Sequence, residues 1–151
     1  MVFDRYKHCI AVGYHSGKLR ELAHQVKTCD TSAIAQAATL MSSLVPDNSV
    51  LVPIPGHKGD ATYTYNMARE IGNIRGLKVI DAIQGFSRES AYEAKKSHRK
   101  PDIWFYKIED IPTTTRIVFI DNCVATGRTC KAARRAVGDR GITISITLAI
   151  V

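Results

Sequence analysis

The sequence predicts an α/β fold in which helices flank a mainly parallel sheet, and three features indicate it. Short apolar runs alternate with amphipathic helical runs along most of the chain. Within residues 116–138, four apolar residues lead into a Thr-Gly-Arg-Thr loop and a helical stretch that stops at Gly138. The 151 residues, 45% of them hydrophobic, suffice for one buried core and are too few for two. We therefore expect a single domain over residues 1–151.

The amino-terminal half shows this alternation clearly. Residues 9–14 predict a strand that ends before a His-Ser-Gly turn. Apolar positions at helical spacing predict helices over residues 18–27 and 33–44, the second preceded by Thr and Ser as capping residues. Residues 50–52 form a second buried strand, and residues 61–74 a third helix followed by glycine.

The carboxyl-terminal half continues the pattern with one interruption. Residues 77–80 and 103–106 predict strands, and residues 84–101 between them are polar and basic without a convincing apolar period. After the strand at 117–120, the sequence predicts a helix over residues 131–137. A last strand covers residues 142–151. Ligands of such sheets gather where the strands end at their carboxyl edge.

The loop after residues 117–120 has the chemistry of a phosphate site. A helix that begins there directs unpaired backbone N–H groups at an anion, and Gly127 allows close approach. Thr126 and Thr129 add hydroxyl donors. Asp121 would repel a phosphate, so it suits a sugar diol or a hydrated metal ion beside it. The alternative is an ordinary capped turn of an α/β protein.

Two further loops are predicted at the same edge. Residues 53–59 hold two prolines and two glycines, and there Lys58 and His57 with glycine N–H groups suit a pyrophosphate. A plain Pro/Gly turn is the alternative. Residues 84–101 could form a basic cover over the site or a solvated charged loop. The candidate residues of this cover are Arg88, Lys95, Lys96 and Arg99.

The segment around Asp121 resembles the loop of type I phosphoribosyltransferases that binds 5-phosphoribosyl 1-pyrophosphate (PRPP). That loop follows an apolar strand and has two acidic residues and then Thr-Thr-Gly-x-Thr. Asp121, Thr126, Gly127 and Thr129 match the pattern, whereas Asn122 replaces the second acid. Ala125 stands in place of the first threonine. Neither a P-loop nor a G-x-G-x-x-G pattern occurs in the chain.

Other segments are similar to the ComF family, phosphoribosyltransferase-like proteins linked to competence for DNA uptake. Residues 11–27 resemble its Y-x-G-x-L-R-E-L-I segment, and residues 51–55 and 65–68 resemble its V-P-V-P and F-N-Q-A stretches. The three segments occur in the family's order. The amino-terminal cysteine cluster of the family, which forms a zinc module, is missing.

The resemblance implies a single-domain type I phosphoribosyltransferase fold, a homodimer and transfer of a phosphoribosyl group from PRPP to a nitrogen acceptor, with Mg²⁺ as cofactor. Asp121 and Asn122 would be the catalytic pair, and Asp121 would also reach the metal ion through water. Residues 125–129, namely Ala125, Thr126, Gly127, Arg128 and Thr129, would bind the 5′-phosphate. The substitution at Asn122 leaves a second possibility, a PRPP-sensing or nucleotide-sensing regulator or a DNA-uptake accessory protein with little catalysis.

Composition restricts the partners and the compartment. A formal net charge of +7 indicates an anionic partner, either a phosphorylated small molecule or nucleic acid. The four cysteines form no C-x-x-C pair, and the histidines show no metal-binding spacing. No apolar run is long enough to span a bilayer, so we expect a cytoplasmic protein. Cys123, inside the proposed anion loop, would have a favoured thiolate or be a small apolar filler.

Overall fold

The computed structural model describes residues 1–4, 8–59, 61–86 and 103–149. Seven strands and four α-helices lie within these ranges. The strands are β1 (Val2–Phe3), β2 (Cys9–Tyr14), β3 (Ser49–Pro53), β4 (Ile83–Gly85), β5 (Phe105–Lys107), β6 (Arg116–Val124) and β7 (Ile142–Leu148). The helices are α1 (Gly17–Gln25), α2 (Thr31–Ser42), α3 (Tyr63–Arg75) and α4 (Arg128–Ala136). A single 3₁₀ turn, Val26–Thr28, follows α1.

Five strands form the central sheet in the order β1-β2-β7-β6-β3. The pairs β2 with β7, β7 with β6 and β6 with β3 are parallel, and only the short β1 pairs in the antiparallel direction. Helices connect the parallel strands and cover both faces, as such crossovers require. The predicted fold class, an α/β fold with a mainly parallel sheet flanked by helices, is confirmed.

Two apolar clusters bury the two faces of the sheet. On one face, α1, α2 and α3 pack against residues of β6 and β7 that include Ile120 and Ile146, both fully buried. On the other face, Ala132 and Ala133 of α4 pack with Phe119 of β6 and Phe105 of β5. Alternate residues of a strand point to opposite faces, which is why the run of apolar residues at the start of β6 supplies both clusters.

The helices begin and end close to the predicted positions, with one difference in capping. The side chain of Asp30, and not that of Thr31 or Ser32, accepts the hydrogen bond from Ala33 N, at 2.8 Å. An aspartate before a helix satisfies one of the free N–H groups of its first turn. At the other end of α3, Gly76 adopts the left-handed conformation of a helix stop, as predicted.

Two predicted strands do not form strands of the central sheet. Residues 77–80 contribute only a single bridge, Leu51 to Val79, beside β3. The strand predicted at 103–106 is β5, and it pairs in the antiparallel direction with β4 in a separate two-stranded sheet. The last two residues of β4 lie in the stretch that lacks an apolar period, so its pairing depends on contacts with β5 and not on local pattern. Among the described helices, none has the length and apolar character needed to cross a bilayer.

Candidate functional site

Four parallel strands of the central sheet end side by side at its carboxyl edge. Pro53 at the end of β3 pairs with Ile120 of β6, and Val124 at the end of β6 pairs with Leu148 of β7. Tyr14 at the end of β2 also pairs with Leu148. The loops that leave these strands therefore emerge together, where ligands of parallel α/β sheets bind.

The turn between β6 and α4 presents an open helix start. Gly127 has φ +82°, a left-handed conformation, and the space where a Cβ atom would lie is empty to 4 Å. Within the part of the chain that the structure describes, no side chain caps this helix in regular fashion, and Arg128 N makes a long contact of 3.4 Å with the Thr126 hydroxyl. Thr126 and Ala125 are exposed. Backbone N–H groups at this position can receive a phosphate.

Asp121 lies inside β6, which corrects the sequence interpretation. The strand was predicted to end at Ile120, with the loop beginning at Asp121, but the ladder with β7 continues through Val124. The Asp121 side chain is 7% exposed, and its Oδ1 accepts a hydrogen bond of 2.8 Å from Asn122 N. Asp121 is thus the sixth of the nine residues of β6, below the turn and beside the start of the β3 loop.

Asn122 holds two elements together. Its Nδ2 donates a hydrogen bond of 2.9 Å to the Ala23 carbonyl oxygen of α1, and the residue is 4% exposed. The amide of Asn122 is therefore engaged in joining α1 to β6. An acidic residue there would lack the donor that this carbonyl needs.

Replacing Asn122 by aspartate tests this role. We expect Asn122→Asp to lower the free energy of unfolding by about 2 kcal/mol at pH 7, because a buried carboxylate would face a carbonyl oxygen. Burial would raise the pKa of the new acid in the folded state, so the loss should shrink as the pH falls towards 4, where the protonated acid can donate. Urea denaturation measures both effects. The exposed Asn73 of α3 gives the control Asn73→Asp, with an expected change under about 0.5 kcal/mol.

The loop after β3 is fixed at both of its ends. Ile54 N donates to Ile120 O at 3.0 Å, and the Thr64 hydroxyl of α3 donates to Ile54 O at 2.7 Å. Gly59 has φ +95°, and a Cβ atom there would collide with the Gly85 carbonyl oxygen of β4. Between these anchors, His57 and Lys58 are exposed. These hydrogen bonds anchor the loop, which carries two exposed basic side chains at the carboxyl edge of the sheet.

A second group of side chains gathers at the ends of β2, β6 and β7. The Nδ1 atom of His15 lies 2.8 Å from the Thr147 hydroxyl and 3.5 Å from the Cys123 sulfur. Burial lowers the pKa of His15, and the positive charges of His24, Arg20 and Lys27 lower it further. Sequence reasoning missed His15, because no local pattern links three residues that meet only through strand register.

The thiol of Cys123 is not activated, which corrects one of the two sequence interpretations. Burial is the largest cause of its raised pKa, and the Asp121 carboxylate adds to the rise, while the Thr147 hydroxyl and Lys27 oppose it. The side chain is therefore a protonated thiol at neutral pH. The four cysteines are all free.

The rate of alkylation tests whether the Cys123 thiol is less reactive than an exposed thiol of the same protein. We expect Cys123 to react with iodoacetamide at pH 7.5 at least about tenfold more slowly than the exposed Cys29, because the thiolate is the reacting species. Peptide mapping by mass spectrometry separates the individual cysteines. Equal rates at Cys123 and Cys29 would contradict the raised pKa.

Comparison with solved structures finds similarity of structure, whereas two other comparisons find nothing. No family model matches the chain, and no curated protein matches it. The crystal structure of purine phosphoribosyltransferase from Pyrococcus horikoshii Ot3 is similar over 85% of this chain and 73% of that chain, with 20% sequence identity and a TM-score of 0.40. The resemblance to the ComF family, which rests on sequence motifs, stays a prediction.

The open turn continues into a groove of about 580 Å³ along one flank of α4. Its lining includes Thr126, Gly127 and Arg128 of the turn, together with Asp4 and His8. The groove leaves open space beside the turn, of the size that small-molecule sites have.

The remaining predicted residues concern the cover and the metal ion. Arg88, Lys95, Lys96 and Arg99 lie outside the described residues. Within the described ranges, no group of three or more His, Cys, Asp and Glu side chains is arranged to hold a metal ion. Asp121 nevertheless fits a Mg²⁺ ion that arrives with a pyrophosphate, because such an ion keeps water and phosphate ligands and needs only one or two carboxylates.

Proposed function

We propose that the protein binds PRPP as its Mg²⁺ complex at the carboxyl edge of the sheet and transfers the 5-phosphoribosyl group to a nitrogen acceptor. The observation that carries the proposal is the open start of α4 behind Gly127, at the end of β6, with the loop that contains Lys58 leaving the neighbouring strand β3. A phosphate cradle and a basic loop on neighbouring parallel strands suit a ligand with phosphates at both ends of a sugar.

Each part of the edge has a role in this reaction. The N–H groups and hydroxyls of residues 125–129, with Arg128, hold the 5′-phosphate. Asp121 accepts hydrogen bonds from the ribose hydroxyls. Lys58 and His57 stabilise the pyrophosphate as negative charge grows on it in the transition state. Bound Mg²⁺ would neutralise part of that charge.

A second function is favoured by the engagement of Asn122. Because its amide donates to Ala23 O, the position offers neither a second carboxylate nor a free amide towards the sugar. A site with one acid can bind PRPP or a nucleotide and turn it over slowly, as a sensing regulator or a DNA-uptake accessory protein would. A third candidate function is the binding of nucleic acid, which the positive net charge of the chain supports.

The proposal also includes a cytoplasmic homodimer with a basic cover over the bound ligand. The support for a reducing compartment is the set of four unpaired cysteines. The support for a cover is the basic composition of residues 84–101, which contain Arg88, Lys95, Lys96 and Arg99.

Calorimetric titration with Mg²⁺-PRPP, paired with an assay of pyrophosphate release over a panel of nitrogen acceptors, separates the candidates. Binding with release supports the transferase, and binding without release supports the sensor. Failure to bind PRPP and nucleotides, together with salt-sensitive DNA binding, would reject both in favour of a nucleic-acid protein.

A further inference from the structure

Helix α1 carries a line of basic side chains that the proposed PRPP site does not use. Arg20, His24 and Lys27 are exposed and separated by four and then three residues, the last of them in the 3₁₀ turn that follows the helix. Residues at this spacing share one face of a helix. We refer to these three residues as the α1 basic stripe.

The α1 basic stripe faces the carboxyl edge of the sheet. The rings of His24 and His15 have centroids 5.5 Å apart, and His15 is bonded to Thr147 at the end of β7. Arg20 and Lys27 act electrostatically on His15, and Lys27 also acts on Cys123 at the end of β6. The stripe therefore borders the ends of β2, β7 and β6.

The order of the strands places the stripe opposite the predicted pyrophosphate loop. β3, whose loop carries Lys58, lies on one side of β6, and β7 and β2 lie on the other. In the proposed reaction the acceptor displaces pyrophosphate with inversion, so the new bond to nitrogen forms on the side of the anomeric carbon opposite the bond to pyrophosphate that breaks. With pyrophosphate on the β3 side, the acceptor enters from the side of β7, β2 and the stripe.

We propose that the α1 basic stripe binds the acceptor through a negative charge, so that the acceptor is a nitrogen heterocycle bearing a carboxylate. This inference rests on the proposed transferase function and names its second substrate class. An arginine and a lysine on one helix face form charge-assisted hydrogen bonds with a carboxylate, and the neutral amide of an uncharged base makes weaker ones. His15, neutral at pH 7, adds a hydrogen-bonding group beside them.

Matched pairs of heterocycles test the charge requirement. Nicotinate with nicotinamide, and orotate with uracil, differ mainly in the carboxylate. Calorimetry in the presence of ribose 5-phosphate should show the carboxylate member of at least one pair binding about tenfold or more tightly than its neutral partner. Pyrophosphate release from PRPP should show the same preference. The bound carboxylate should also raise the pKa of His15, which an NMR titration of the imidazole measures.

Variants test whether the preference for a carboxylate depends on the α1 basic stripe. Arg20→Gln and Lys27→Gln should each reduce the preference to about threefold or less, with binding of Mg²⁺-PRPP unchanged. Lys18→Gln is the matched control, because Lys18 is exposed on α1 but lies about 200° around the helix from Arg20. Circular dichroism checks that each variant is folded.

The outcomes separate this inference from the proposed function. If PRPP does not bind, the proposed function has failed and the acceptor inference fails with it. If PRPP binds but each pair shows equal affinity, or no member of either pair binds, only the acceptor inference is overturned. A preference that survives both Arg20→Gln and Lys27→Gln would also overturn it, because the carboxylate would then be held elsewhere.

Discussion

Gly127→Val is expected to weaken the binding of ribose 5-phosphate by about 100-fold or more. Two physical effects act in the same direction. Gly127 has φ +82°, where a β-branched residue is strongly disfavoured, so the turn would move to relieve the strain. The new side chain would also stand in the open space beside the helix start, where the phosphate must come close to the backbone. Calorimetric titration of ribose 5-phosphate measures the loss.

The same helix provides a matched control for backbone strain. Gly138 follows the carboxyl end of α4, has φ +85° and likewise has an empty space of 4 Å around the position of a Cβ atom. Gly138→Val should destabilise the fold about as much as Gly127→Val, by roughly 1–3 kcal/mol, and leave phosphate affinity within about threefold of the starting value. Similar losses of affinity in both variants would show that α4 as a whole, and not the turn, determines the binding.

Local pattern was sufficient for much of this fold. The apolar spacing in residues 18–27 and 61–74 corresponds to α1 and α3, because each helix buries one face against the sheet. The strand at residues 117–120 was found because its neighbours on both faces are apolar, with Phe119 and Ile120 each fully buried. Where burial on a face decides the structure, sequence periodicity reports it.

The sequence did not reveal how far β6 extends. Asp121 and Asn122 are polar, so the pattern indicated that the strand ended before them. In the structure, Asp121 pairs in register with the polar Ser145 of β7, the Asn122 side chain donates to the Ala23 carbonyl oxygen of α1, and the ladder continues through Val124. The hydrogen-bond partner of Asn122 belongs to a helix about 100 residues away in the chain, and this information is absent from the sequence of the strand itself.

The edge near α1 shows a similar limit. His15 directly follows β2, whereas Thr147 lies in β7 and Cys123 in β6, and only the register of these three strands brings the residues together. One local signal was available, the spacing of Arg20, His24 and Lys27 on one helix face, but a basic stripe on a surface helix is more often a solvated face. The contact between His24 and His15 shows that this helix face borders the carboxyl edge of the sheet.

Asp121→Asn is the substitution that addresses the sugar directly, and it should reduce PRPP affinity by about 100-fold. A carboxylate accepts hydrogen bonds from two ribose hydroxyls with the strength of a charged group, and an amide offers one oxygen and a donor in its place. Asparagine is preferred to alanine for this test, because its oxygen can still accept the hydrogen bond of 2.8 Å from Asn122 N. The fold should therefore lose little stability, which thermal denaturation checks.

Cys123→Ser is the control, since Cys123 is two residues farther along β6 and its side chain is a protonated thiol. Its PRPP affinity should stay within about threefold of the starting protein. If Asp121→Asn binds PRPP normally while remaining folded, the carboxylate does not hold the ribose, and its burial in β6 would be a structural feature only. A loss in Asp121→Asn that spares the affinity for inorganic phosphate would separate the two halves of the site, the turn that holds the phosphate and the acid that holds the sugar.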